Sequence, residues 1–289
     1  MSTAVYAAIC ALICPPRPAP WQAGHVASLG YDITGPTGSS GAPGPDDAPL
    51  LVLGSSLGTT RSMWPPSVAD LARDHRVLRY DHRGHGESEV PPGPYSLDDL
   101  GGDVLEMLDA VAPGERVHYA GVSLGGMVGL WLAIHAPERI GRLAVISTSA
   151  CMPPPEFWAQ RAASVLADGM SSIADAVIAR WFTPDFAAAS PEVVGAISAI
   201  FNSIDPVGYA GCCAAIGAMD QRPDLPRITA PTLVICGEGD PATPPEVGRE
   251  IAEAIPGARY ELVAGAHLSA VENPPAVLSL LTTHFAGSF

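Results

Sequence analysis

The strongest constraint on this chain is five residues long: Gly121-Val122-Ser123-Leu124-Gly125, set between an apolar β-type run and a helical one. A G-x-S-x-G in that position demands a turn of about two residues, which strains the serine and lifts its hydroxyl to the crest of a sheet. Glycines two residues to either side are required because Cβ atoms there would collide. The helix N-terminus behind the serine aims backbone N–H groups at a developing oxyanion. Gly126 extends the small-residue run into that helix. Without a strand before it and a helix after it, the pentapeptide would be only a glycine-rich turn.

The surrounding pattern supplies that context. Leu50–Leu53, Val77–Tyr80, Val117–Ala120, Leu143–Ser147, Thr232–Cys236 and Arg259–Val263 are short aliphatic runs that read as strands. Helical spacing recurs around Pro66–Arg73, from Leu97 to Val111 behind a Ser96 cap, over Leu124–His135, and from about Pro275 to Phe285. This alternation predicts an α/β fold, a mostly parallel sheet with helices on both faces. Gly35–Pro49 reads as a loop between strands. Between Cys151 and Pro231 the spacing is helical throughout. Residues 151–230 are therefore expected to form a helical cap over a core made of residues 23–150 and 231–289, at the sheet edge where such folds bind ligands. The cap's Phe157, Trp158, Arg161, Arg180, Trp181, Phe182 and Phe201 are expected either to face substrate or to pack the cap's own small core. Trp158, Arg161 and Arg180 lead as substrate contacts.

Composition narrows the chemistry. Of 289 residues, 47% are apolar and 6% aromatic, enough for a well-filled core of mostly small side chains. Fifteen basic residues, all arginine, stand against thirty acidic ones, a net charge of −15. Such a surface repels phosphate backbones, so nucleic acid is not an expected partner. The absence of lysine excludes Schiff-base chemistry and the lysine-bearing phosphate loop. Cys10, Cys14, Cys151, Cys212, Cys213 and Cys236 form no C-x-x-C pair, and there is no H-E-x-x-H. No metal site is expected, and the thiols read as reduced, in a cytoplasmic protein. Ala4–Cys14 is apolar but shorter than the roughly 20 residues a membrane span needs. The first arginine, Arg17, follows it, so the basic start of a signal peptide is missing. Residues 1–22 are expected to be a disordered tail or a misassigned start, with no membrane partner.

A serine hydroxyl needs a base, and the base needs an orienting carboxylate. Behind a strand–G-x-S-x-G–helix elbow these follow in the order serine, acid, histidine. Asp240 lies in Gly237–Pro241, directly after the Thr232–Cys236 run; Glu238 on the same turn is the alternative. The other acid position, Thr148–Met152, contains no carboxylate. Only two histidines follow Asp240. His267 sits in a loop after Arg259–Val263 and can return to Ser123, whereas His284 lies within the terminal helix and reads as a surface or packing residue. His82 and His85 flank Arg83-Gly84; with no third ligand they read as loop structure and hydrogen bonding. The oxyanion donors are expected to be the N–H groups of Leu124 and, from the loop after Leu50–Leu53, Leu57.

Together these residues resemble the α/β-hydrolase superfamily and, within it, the 3-oxoadipate enol-lactonases of aromatic catabolism. The likeness runs from about Gly30 to Phe285. It rests on Ser55–Gly58, Arg79–Ser88, Pro91–Tyr95, Gly121–Leu132, Ser147–Ala150 and His267–Glu272. Ser55-Ser56 stands where many esterases carry His-Gly, and the lactonases themselves have Asn where this chain has Ser55. The resemblance implies a cofactor-free serine hydrolase acting on a small-molecule lactone or ester, with 3-oxoadipate enol-lactone hydrolysed to 3-oxoadipate. Other serine chemistries on the same scaffold remain open at this point: an arylesterase, a perhydrolase, a C–C hydrolase, or a non-catalytic ligand receptor. An epoxide hydrolase or dehalogenase is disfavoured, because their nucleophile is an aspartate.

Overall fold

A computed structural model describes residues 26–36, 48–152 and 154–286. Residues 1–22, with Cys10 and Cys14, and most of the Gly35–Pro49 loop lie outside the described residues. The strands are β1 (Tyr31–Thr34), β2 (Leu50–Gly54), β3 (Arg76–Tyr80), β4 (Val117–Val122), β5 (Ile140–Ile146), β6 (Thr232–Gly237) and β7 (Arg259–Val263). They form one sheet in the order β1-β3-β2-β4-β5-β6-β7. Only β1 runs antiparallel, against β3; every other neighbour pair is parallel. All residues of β2, β4 and β6 are buried. Strands covered on both faces lose the polar alternation of a one-sided sheet, which is why they read as continuous apolar runs.

Two helices seat the central strands. Helix α1 (Leu97–Val111) opens with a reciprocal cap: Ser96 Oγ accepts from Asp99 N–H, and the Asp99 carboxylate accepts from Ser96 N–H. Helix α2 (Leu124–His135) is buried from Leu124 through Ile134, as expected of a helix apolar on every side. The segment Pro66–Arg73, expected to be helical, is a helix of the tighter 3₁₀ kind. Its Pro65-Pro66 entry fixes φ at the start and removes N–H donors, which favours a short wound segment.

Between β5 and β6 the chain forms the helices α3 (Pro155–Asp168), α4 (Ala174–Ile178), α5 (Pro184–Ala189), α6 (Pro191–Ser203) and α7 (Pro206–Ala218). Trp181 and Tyr209 each meet the Phe201 ring edge to face, 5.6 Å between centroids. Helices α8 (Pro245–Ala254), α9 (Ser269–Glu272) and α10 (Pro274–Phe285) complete the order. His284, in α10, is a packing residue: it is buried and donates from Nε2 to Leu143 O at 3.0 Å. Cys151, Cys212, Cys213 and Cys236 are buried, and the last three are free thiols. Among the described residues no single helix is long and apolar enough to cross a membrane. No group of three or more His, Cys, Asp or Glu there could hold a metal ion.

Candidate active site

The parallel strands deliver their C-terminal ends to one edge, and Ser55, Ser123, Ser147, Asp240 and His267 all follow those ends. Ser123 has φ 53° and ψ −113°, a left-handed conformation that costs roughly 1–3 kcal/mol and persists only where its surroundings enforce it. They do so here. A Cβ on Gly121 would lie 2.3 Å from the Gly125 carbonyl, and one on Gly125 would lie 2.5 Å from the Gly54 carbonyl. Ser123 N–H bonds Ile146 O at 2.9 Å, and Thr148 Oγ1 donates to Ser123 O at 2.7 Å. The elbow is thus held from β2 and β5 as well as from its own strand.

The loop after β2 is fastened to the elbow through Ser55, whose carbonyl accepts Gly125 N–H at 3.0 Å and His82 Nε2–H at 2.9 Å. Gly58 N–H donates to His85 Nε2 at 3.0 Å, and His85 Nδ1–H donates to Arg83 O at 3.2 Å. Both imidazoles are neutral. Burial, reinforced by the neighbouring His85, lowers the His82 pKa to about 3, and burial lowers that of His85 to about 4. His85 can therefore accept from Gly58 while its other nitrogen donates. These two histidines brace the loop that runs from Ser55 through Leu57 to Gly58.

Asp240 and His267 meet across the β6 and β7 loops. His267 Nδ1–H donates to Asp240 Oδ2 at 2.8 Å, and both side chains are buried. Asp240 Oδ1 accepts the N–H groups of Ala242 (2.8 Å) and Thr243 (3.0 Å), and the Thr243 hydroxyl donates to Oδ2 at 2.7 Å. Burial pushes the Asp240 carboxyl up, but His267 and the Thr243 donors outweigh it and hold the group below its ordinary value. Glu238, the alternative acid, is exposed. Thr243 was not singled out in the sequence. The signal for it is its place three residues after Asp240, where a hydroxyl closes the turn begun by an Asp side chain.

Ser123 and His267 line one cavity of about 350 Å³, together with Leu57, Trp158, Arg161 and Arg180. Phe157 and Trp181 also line it, whereas Phe182 and Phe201 do not. Phe201 is fully buried among cap aromatics, and Phe182 stacks on Phe186. Both belong to the cap's own core, the second of the two placements expected for these residues. The Arg161 guanidinium lies over the rings of Phe157, Trp158 and Tyr209 at 5.4–5.9 Å, and its buried Nε has no hydrogen-bond partner among the described residues. Arg180 Nη2 donates to Pro241 O at 2.9 Å. Burial and the like charge of Arg161 push the Arg180 guanidinium below its ordinary value, with Asp240 opposing. Among the described residues neither arginine pairs with a carboxylate. A cavity on an acidic protein therefore carries two guanidinium groups that no described carboxylate ion-pairs.

The profile of the α/β-hydrolase fold family matches residues 49–199, just over half of the chain. The chain belongs to the α/β-hydrolase superfamily. A second profile, described as TAP-like protein, matches residues 204–285 of this α/β-hydrolase. It is 41% identical to 3-oxoadipate enol-lactonase 2 of Acinetobacter baylyi over 81% of this chain and 87% of that protein. It is 30% identical to RutD of Stutzerimonas stutzeri, a protein named for carbamate hydrolysis, over 83% and 92% of the two chains. The crystal structure of an enol-lactonase from Burkholderia xenovorans superposes with a TM-score of 0.84 at 43% identity, covering 90% of this chain and 96% of that one. This α/β-hydrolase falls in the enol-lactonase family and is a carboxylic-ester hydrolase.

Proposed function

We propose that the protein opens a small enol-lactone bearing a free carboxylate, 3-oxoadipate enol-lactone in particular, with Ser123 as nucleophile, His267 as base and Asp240 as its orienting acid. The observation that carries this reading is one cavity holding Ser123, a His267 fixed by Asp240 at 2.8 Å, and the guanidinium groups of Arg161 and Arg180, which no carboxylate among the described residues ion-pairs. Two guanidinium groups side by side repel each other, and a carboxylate offers both a counter-charge and charge-assisted acceptors, so a substrate carboxylate is the natural partner of such a pair. A carbamate without that group would leave both arginines unmatched.

In the reaction, His267 Nε2 takes the Ser123 proton as Oγ attacks the lactone carbonyl. The N–H groups of Leu57 and Leu124 hold the oxyanion. The ring C–O bond then breaks. The enolate that leaves stays tethered to the acyl chain, takes the proton from His267 at carbon and becomes a ketone. Water, deprotonated by His267, attacks the acyl carbonyl, and collapse of the second tetrahedral intermediate returns the proton to Ser123 and releases the dicarboxylate. One water is consumed, and no cofactor is called on.

The carboxylate anchor is tested with Arg161→Gln and Arg180→Gln, assayed on the lactone and on its carboxyl methyl ester. A charge-assisted hydrogen bond contributes about 1.5–3 kcal/mol, so each substitution is expected to raise KM for the lactone by about tenfold or more. KM for the methyl ester is expected to stay put. Lactone KM unchanged in both variants would remove the arginines from recognition.

A further inference from the structure

Between α4 and α5, the cap segment Arg180-Trp181-Phe182-Thr183 lies across both loops that carry Asp240 and His267, bonded to them at three points. Arg180 Nη2 donates to Pro241 O, next to Asp240, at 2.9 Å. Leu268 N–H donates to Trp181 O at 2.9 Å. Thr183 gives its amide, at 3.3 Å, and its hydroxyl to the carboxylate of Glu272, whose Oε2 also accepts Ala266 N–H at 2.9 Å. Ala266 and Leu268 are the two chain neighbours of His267. The loops are joined to each other as well, by Gly239 N–H to Gly265 O at 2.9 Å. Gly265 has φ 131°, and a Cβ there would lie 3.4 Å from Glu272 Cδ, so the carboxylate is fitted closely to the loop it holds.

We propose that Glu272 is a positioning residue that ties the cap to the histidine loop, so that a substrate carboxylate drawn to Arg180 also sets the imidazole. The inference rests on reading His267 as the base and Arg180 as an anchor. Apolar packing would hold the cap down without fixing direction. A carboxylate accepting three donors fixes both the Ala266 peptide and Thr183, immediately beside a group whose placement decides the rate. Arg180 and Trp181 wall the cavity, so whatever shifts them shifts the same strap.

The test uses Glu272→Ala, Glu272→Gln, Thr183→Val and Arg180→Gln in the full-length chain, with the lactone and with phenyl acetate, which has no carboxylate. Glu272→Ala is expected to lower kcat about tenfold on both substrates while KM for phenyl acetate moves less than about twofold, the scale of a slightly misplaced catalytic group. Glu272→Gln keeps an acceptor and is expected to recover most of the loss. On the lactone, Thr183→Val combined with Arg180→Gln is expected to lose less kcat than the product of the single losses, because both act through one strap. Wild-type kcat in Glu272→Ala, equal damage in Glu272→Gln, or strictly multiplying losses would overturn the proposal. If Glu272→Ala does not fold, a lowered phenyl acetate kcat in Thr183→Val supports the proposal in its place, and an unchanged one overturns it. The two readings are separable. Failure of the anchor shows as an unmoved lactone KM in Arg180→Gln, whereas turnover of phenyl acetate, which has no carboxylate, reports on the placement of His267 without the anchor.

Discussion

Ser123→Ala is expected to lower kcat for the lactone by at least about a thousandfold, leaving only what the oxyanion donors and binding supply without a nucleophile. The substitution removes one oxygen from a buried site whose backbone is held by Gly121, Gly125, Ile146 and Thr148, so the fold is expected to survive. Alanine inherits the same φ of 53°, and no strain is relieved. Circular dichroism and thermal melting matching the parent, together with loss of fluorophosphonate labelling, would separate a chemical effect from unfolding. Turnover retained within tenfold would remove Ser123 from the mechanism.

Asp240→Asn is expected to reduce kcat by on the order of 10⁴, although it changes neither size nor shape. The hydrogen bonds dictate the outcome. Two backbone donors, Ala242 N–H and Thr243 N–H, point at Oδ1, so the asparagine oxygen must occupy that side. Its NH₂ then faces His267 Nδ1, which must become the acceptor, and the proton moves to Nε2. An imidazole protonated at Nε2 cannot take the serine proton. The check is kcat across pH 5–9 beside a nuclear magnetic resonance assignment of the His267 tautomer. A fall of less than tenfold with the parent tautomer intact would mean that Asp240 does not orient the base.

How much of this was legible in the sequence depends on how local each signal is. The elbow was, because a turn that forbids Cβ atoms leaves glycines at fixed offsets around Ser123. The placement of the Asp240 and His267 loops at one edge was, because parallel strands bring their following loops together there; the choice between Asp240 and Glu238 was not, since it depends on which of the two is buried in the folded chain. Thr243 and Glu272 were not. Thr243 gives only a weak local signal, a hydroxyl three residues after Asp240, whereas Glu272 acts through hydrogen bonds to a partner that folding brings near, Thr183 being 89 residues away. The cap was half legible. Its helices announce themselves by spacing, but which aromatics face inward depends on how α4, α6 and α7 pack. For that reason Trp181 lines the cavity while Phe201, its edge-to-face neighbour, does not. His82 and His85 show the reverse case: a loop reading without assigned chemistry turned out to brace the segment that carries Leu57.

The measurement that bears most directly on the central reading is kcat/KM of the purified protein for 3-oxoadipate enol-lactone, set beside phenyl acetate and a simple alkyl carbamate under the same conditions. The two cavity arginines, without a carboxylate partner among the described residues, and the good leaving ability of an enol lead us to expect the lactone to exceed both by about a hundredfold or more, from a charge-assisted contact of about 1.5–3 kcal/mol added to an easier bond cleavage. A carbamate turned over faster than the lactone, or a lactone rate no higher than that of phenyl acetate, would contradict it.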